Sequence, residues 1–184
     1  MPERVWIPGG RFAMGSEAHY PDEAPVREVE VDGFWIDRAP VTNDDFAAFV
    51  AETGYVTGAE RAPTAEEFPG APPENLRAGS MVFTMTPGPV SLRDHHRWWR
   101  WVIGADWRHP TGPDSSIEGL GRHPVVQLDP AQPQFAIPRR VIKGGSHLCT
   151  TQYCFRYRPA ARQPQMIDTG TSHLGFRCIS RNPR

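Results

Sequence analysis

Residues 26–54 read VREVEVDGFWIDRAPVTNDDFAAFVAETG, and the two halves of this stretch carry different periods. In the first half Val29 and Val31 fall on one face and Glu28 and Glu30 on the other, the alternation of a half-covered strand. Asp32-Gly33 is a strong two-residue turn signal, and Phe34-Trp35-Ile36 resumes the strand pattern, so a β-hairpin is expected. In the second half Thr42 can cap a helix, and Asp45 stands at the reciprocal capping position. Phe46, Phe49 and Val50 then recur at helical spacing, which predicts one buried face, and Gly54 supplies the stop. A hairpin followed by a capped helix in one short stretch predicts short elements, not a helical bundle.

Working outward, residues 5–16 (VWIPGGRFAMGS) read as two short strands around a Pro-Gly-Gly turn. Residues 57–96 are rich in Pro, Gly and polar groups, which predicts long loops with one short strand near Met81–Thr84. Then Trp98, Trp99, Trp101 and Trp107 crowd into ten residues. They suit either a packed irregular segment or an aromatic wall that accepts an extended peptide. His123–Leu128 reads as a strand, and DPAQPQFAIPRR (129–140) carries three prolines and no helical period. Val141–Lys143 reads as a strand running into Gly144-Gly145, and His173–Ile179 as the last strand.

Composition agrees with short elements and much turn chemistry. Pro (20) and Gly (17) make up 37 of 184 residues, about a fifth, against an ordinary share of roughly 12%. The length suits one domain, residues 1–184. Lys plus Arg (20) balances Asp plus Glu (21), so no electrostatic feature points to nucleic acid or an anionic membrane. Basic residues cluster at Arg139, Arg140 and Lys143 and at Arg156, Arg158 and Arg162, where ion pairs or a solvated face are the ordinary reading. The N-terminal MPERVWIPGG has no apolar core run, and no stretch approaches the length of a membrane span, so a cytoplasmic location is expected.

The chemistry concentrates in residues 144–158, GGSHLCTTQYCFRYR. Cys149 and Cys154 are separated by four residues. A structural disulfide, half of a zinc site, and a two-thiolate site for a soft ion or for redox exchange all remain open on spacing. No convincing second Cys or His pair follows: His173 and Cys178 lack the spacing of a zinc half-site. Gly144 and Gly145 permit close backbone approach, Ser146 offers a hydroxyl and Tyr153 a phenol beside Cys154. Arg156 and Arg158 add positive charge that would favour thiolate. Cys178 reads as an unpaired, buried structural thiol.

Six segments, IPGGRFAMGS, APVREVEVDGFWIDRAPVTNDDFAAFVAETGYVT, WRHPTGPDSSI, HPVV, VIKGGSHLCTTQYCFRYRPAAR and TSHLGFRC, occur in order along the chain. With them the sequence resembles the formylglycine-generating enzyme (sulfatase-modifying factor) family over nearly its whole length. The resemblance implies an irregular C-type-lectin-like α+β fold with little regular secondary structure. It implies an oxidase that uses O2 to convert the cysteine of a Cys-x-Pro-x-Arg motif in an unfolded sulfatase polypeptide to formylglycine. Copper(I) would be held by Cys149 and Cys154, with the substrate thiolate as a third sulfur ligand. Ser146 and Tyr153 match positions beside that pocket. Trp98 or Trp99, Arg156 and His173 would lie along the peptide path.

The chain departs from the family in one place. Members carry a long segment between HPVV and the VIKGGS-like motif, and here only Leu128 to Arg140 bridges it. The expected fold is therefore a truncated one that lacks the central segment near residues 129–140, and the family's calcium sites are not expected. The competing expectation is a catalytically inactive peptide-binding module, or a remnant of the family, that keeps the groove without the chemistry. The related sulfoxide synthases need a separate His-rich iron-binding part, and hydrolases a nucleophile elbow; neither pattern is present.

Overall fold

The computed structural model describes residues 3–91, 93–128, 139–152, 154–166 and 170–181. Among the described residues one α-helix stands among short strands, which makes an α+β fold. In chain order these are β1 (Arg4–Ile7), β2 (Gly10–Met14), β3 (Arg27–Val31), β4 (Phe34–Asp37), α1 (Asn43–Thr53), β5 (Gly79–Phe83), β6 (Trp99–Ile103), β7 (Arg139–Lys143), β8 (Arg162–Met166) and β9 (Ile179–Ser180). None of the helices described is long and apolar enough to cross a membrane. The chain divides into two compact units: Met1–Val41 with Arg139–Gln165 and Phe176–Arg184, and Thr42–Pro138 with Met166–Gly175.

In the first unit the expected strands form but pair differently. β3 and β4 do not fold back on each other at Asp32-Gly33, nor β1 and β2 at Pro8-Gly9. Instead β1 pairs antiparallel with β4, from Arg4↔Asp37 to Ile7↔Phe34, and β2 with β3, from Gly10↔Val31 to Met14↔Arg27. Partner numbers add to 41 in both ladders, so residues 4–14 and 27–37 are the two arms of one ribbon with unbroken register. Pro8 has no N–H to give, which interrupts the ladder without reversing it. At the interruption the backbones come close: a Cβ on Gly9 would lie 2.8 Å from the Gly33 nitrogen, and one on Gly33 would collide with the Trp6 ring. The glycines that suggested turns serve instead as the contact point of a bend. The true reversal is residues 15–26, with a 3-10 turn at Pro21–Glu23. β9 adds to β4 as a third strand, and β7 pairs with β8.

The second unit is organised by α1 and the β5–β6 pair. The helix begins as its sequence requires: Thr42 Oγ1 accepts from the Asp45 amide at 3.2 Å, and Asp45 Oδ2 accepts from the Thr42 amide at 3.2 Å. Gly54 (φ 67°) ends it in the left-handed conformation and donates to Val50 O. Of the expected buried face, Phe46 is 4% exposed, but Phe49 is 43% exposed and rests against the Tyr55 ring at 5.5 Å. Phe46 meets Trp107 edge-on, with ring centres 5.0 Å apart, and Trp107, Val82, Ala105, Val125 and Leu128 are buried in this unit.

Three other expectations are corrected. Residues 123–128 are not a strand; they make isolated bridges, Thr42↔Pro124 and Leu128↔Thr171, because Pro124 cannot donate and Gln127 turns to φ 60°. Gln127 is buried and receives the Ser80 hydroxyl at 2.7 Å. The last strand is only Ile179–Ser180, and Cys178 is exposed, not buried. Trp99 and Trp101, part of the tryptophan cluster, belong to a regular strand, β6, paired with β5 from Gly79↔Ile103 to Phe83↔Trp99. The reading of residues 129–138 lies outside the described residues.

Candidate functional site

The cysteine segment begins where β7 ends. Gly144 and Gly145 both take positive φ, at 105° and 81°. At Gly145 the backbone passes so close to Tyr157 that an added Cβ would stand 2.5 Å from its carbonyl oxygen. That approach lets the Ser146 amide donate to Arg156 O at 3.0 Å, which closes the base of the loop. Within the loop the Cys149 amide donates to Ser146 O at 3.2 Å and the Cys154 amide to Thr150 O at 2.9 Å. The Ser146 hydroxyl oxygen also accepts from the Leu148 amide at 3.2 Å. Each cysteine thus sits one hydrogen-bonded turn after a Ser or Thr, and the two turns fix where their side chains leave the backbone.

Cys149 and Cys154 are both free and half-buried, and the Cys154 side chain is near enough to act on the Cys149 thiol. Burial pushes the Cys149 thiol up to about 11; the Cys154 sulfur adds to the push, and the Ser146 hydroxyl and the Arg156 backbone oppose it. At neutral pH Cys149 is therefore a thiol. The expectation that Arg156 and Arg158 hold the pair as thiolate is not met, because both guanidiniums are engaged elsewhere. Arg156 Nη1 donates to Asp22 Oδ2 at 3.1 Å, and Arg158 Nη2 donates to both Glu23 oxygens at 2.7 and 2.8 Å. Among the described residues no group of three or more His, Cys, Asp or Glu side chains could hold a metal ion. The sulfur pair would, on losing its protons to a bound ion, supply two soft thiolate donors of the kind that suits Cu(I) with few other ligands.

The acidic partners of this loop escaped the sequence reading. They come from the reversal at the end of the ribbon. Tyr20 Oη accepts from the Phe155 amide at 3.0 Å, the Arg156 guanidinium lies 4.3 Å from the Tyr20 ring centre, and Arg162 Nε donates to Asp22 O. A signal existed: Asp22 and Glu23 are an acidic pair, and Arg156, Arg158 and Arg162 the basic cluster flagged as a source of ion pairs.

The remaining candidates fall in the second unit. Trp99 stands edge-on to Phe83 with centres 5.6 Å apart and lies 5.1 Å from the His173 ring, so Trp99 and His173 do come together. Trp98 is half-buried, and its carbonyl accepts from the Thr84 amide at 2.7 Å. An open groove of about 270 Å³ nearby in sequence is lined by Thr84, Met85, Pro87, His96, Arg97 and Arg100, with Thr86 and Val90. Tyr153 lies outside the described residues.

A small α+β protein that presents two free thiols on a loop clamped by ion pairs is a dithiol-site protein. The chain belongs to the sulfatase-modifying factor enzyme 1-like domain family, whose model matches residues 1–132 and 129–182. It is similar to the formylglycine-generating enzyme of Mycobacterium tuberculosis, 32% identical over 293 aligned positions that span 98% of each chain. It is similar to the Mus musculus formylglycine-generating enzyme, 27% identical over 98% of this chain and 75% of that one. A second Mus musculus protein, the inactive C-alpha-formylglycine-generating enzyme 2, is 40% identical over 69% of this chain and 39% of its own. The alignment to the mycobacterial protein needs 293 positions for a chain of 184, so at least 109 positions have no counterpart here. The two family matches meet at 129–132, which puts the shortening between HPVV and VIKGGS.

Proposed function

We propose that this chain is a copper-dependent oxidase that converts the cysteine of a Cys-x-Pro-x-Arg segment in an unfolded sulfatase to formylglycine. The observation that carries this reading is the pair of free, half-buried thiols at Cys149 and Cys154 on one short loop in a member of this family. Formylglycine-generating enzymes among its relatives support the reaction, and sulfatases as partner follow from the family's name. The net change at the substrate consumes one water. The C–S bond of the substrate cysteine breaks, its β-carbon becomes an aldehyde and hydrogen sulfide leaves, while two electrons and two protons pass to O2. Copper(I), when bound, supplies a coordination position for the substrate thiolate and an electron source for O2. Cys149 and Cys154 would hold it; Ser146, whose carbonyl accepts from the Cys149 amide, would set where that side chain leaves the loop. Tyr153 stands beside Cys154 in sequence and serves the same pocket. Trp98, Trp99 and His173 would serve the peptide, whereas Arg156, which the resemblance also assigns to it, is taken up by Asp22 and the Tyr20 ring; the C-type-lectin-like arrangement and a reducing cytoplasmic setting belong to the same proposal.

The test is turnover of a Cys-x-Pro-x-Arg peptide by the reduced chain with Cu(I) and O2, followed by an aldehyde-reactive hydrazide. Formylglycine is expected from the parent and none from Cys149→Ser. Absence of product from the parent, at full Cu(I) occupancy, refutes the proposal. One observation favours a second reading, a peptide-binding module without the chemistry: a relative named as inactive matches at 40%. Peptide affinity unchanged in a Cys149→Ser, Cys154→Ser double variant, with no aldehyde from the parent, decides for that reading.

A further inference from the structure

The first unit holds its cysteine loop with little apolar core of its own. Among its described residues Ala161 is the only buried apolar side chain, whereas Glu23 and Asp37 are buried acids. Glu23 is 2% exposed, and its carboxylate takes a two-pronged bond from Arg158. Burying such a pair removes two charges from water, a cost that its own attraction repays only with good geometry, so it is a poor source of net stability. Here both carboxylate oxygens share the one Arg158 Nη2 while Nε is held by Phe155 O, and a guanidinium tied at two of its nitrogens supplies a fixed direction.

That direction is transmitted to the cysteines along one chain of bonds. Arg158 Nε donates to Phe155 O at 3.0 Å, so the guanidinium that grips Glu23 also grips the residue directly after Cys154. The next carbonyl, Arg156 O, accepts from the Ser146 amide, and Ser146 O accepts from the Cys149 amide. Both ends of the loop are thereby referred to the same point, the Glu23 carboxylate. The Glu23 amide in turn donates to Tyr20 O at 2.9 Å, which seats the carboxylate in the 3-10 turn of the ribbon's reversal.

We infer that Glu23 is a positioning residue for the dithiol: through Arg158 it fixes the separation and orientation of Cys149 and Cys154. This rests on the copper reading for its biological use but not for its measurement. Two probes read the geometry. One is Cu(I), titrated into reduced protein against a chromophoric chelator. The other is phenylarsine oxide, which closes onto two adjacent thiols with release of water and involves neither copper nor oxygen. Glu23→Gln keeps the shape and removes the charge. Asp45→Ala, which breaks the α1 cap in the other unit, is the control for a loss of stability alone.

Glu23→Gln is expected to weaken both probes about tenfold or more, in the range of roughly 10–100-fold seen when outer partners of a metal site are removed. Asp45→Ala is expected to lower the melting temperature and leave both affinities within twofold. Arg158→Lys, a point charge in place of the fork, is expected to follow Glu23→Gln. If Glu23→Gln matches the parent with both probes, the inference is overturned. So it is if Asp45→Ala weakens the probes as much as Glu23→Gln does. A parent that takes the arsenical but not Cu(I), with Glu23→Gln impaired toward the arsenical, keeps the positioning role and removes the copper function.

Discussion

Replacing Gly145 by alanine, with Gly144→Ala as its partner experiment, isolates the close approach that shapes the cysteine loop. Both glycines have positive φ, so both substitutions carry the left-handed penalty of roughly 1–2 kcal/mol. They differ in what the new methyl meets. At Gly144 it enters open space; at Gly145 it stands 2.5, 2.8 and 3.0 Å from the O, C and Cα of Tyr157. These are backbone atoms and cannot rotate away, so the strands of the loop base must part. Parting them breaks the 3.0 Å Ser146-to-Arg156 hydrogen bond, which contributes about 1 kcal/mol net. Gly145→Ala should therefore cost about 2–3 kcal/mol locally, and Gly144→Ala about 1 kcal/mol less. The assay is native-state hydrogen exchange at the Ser146 and Cys149 amides, which reads local opening directly. Protection should fall at least fivefold further in Gly145→Ala than in Gly144→Ala, about 1 kcal/mol by the usual tenfold per 1.4 kcal/mol. Equal losses in the two variants would refute the claim that contact with Tyr157, beyond backbone strain, shapes the loop.

Three further outcomes are expected. Thr42→Ala removes one side of the α1 capping box and should cost about 1 kcal/mol in urea unfolding followed by helix ellipticity. Trp107→Ala empties the site against which Phe46 packs and should cost about 3–5 kcal/mol, a loss that Trp107→Phe recovers in part. Asp22 is held below its ordinary 3.8 chiefly by the hydrogen bond from Arg156, with desolvation pulling the other way. Its contribution is then complete above pH 3.8 and lost as pH falls through the depressed value, so the decline in urea midpoint below pH 3.8 should be shallower in Asp22→Asn than in the parent.

The elements whose causes are local could be read from sequence, and those decided by pairing could not. The α1 cap at Thr42 and Asp45 and the stop at Gly54 depend on residues within one turn of each other, and they form as expected. The strands around residues 27–37 also form, because alternation is a property of each segment. Their partners were misassigned because Asp32-Gly33 satisfies two demands with the same residues. It can reverse a chain, and it can also let a second backbone approach, as Gly33 does toward Gly9 and Trp6. Only the longer register, with Ile7 against Phe34 and Gly10 against Val31, decides between them. Phe49 illustrates the complementary error: helical spacing places it on the Phe46 side, but the covering element decides burial, and at Phe49 it is incomplete.

At the site, the cysteines and Ser146 were legible because they share one short loop, whereas Asp22 and Glu23 lie some 130 residues away in sequence. The arginines then meant something different from what their position suggested. Next to Cys154, Arg156 and Arg158 read as charges that would draw protons off the thiols. Paired with Asp22 and Glu23, they leave the Cys149 thiol raised to about 11 and act as struts. This division has a physical logic in a shortened chain. Buried apolar side chains give stability in proportion to area, about 25 cal/mol per Å², but no direction. The first unit has Ala161 as its one buried apolar side chain among the described residues, yet it must hold two sulfurs at a set spacing. Directional bonds can do that where a core cannot. The Glu23–Arg158 pair, the Tyr20 phenol under Phe155 and the Gly145 approach to Tyr157 each constrain a different point of the loop. The order of the dithiol loop therefore rests on those polar struts rather than on a buried apolar core.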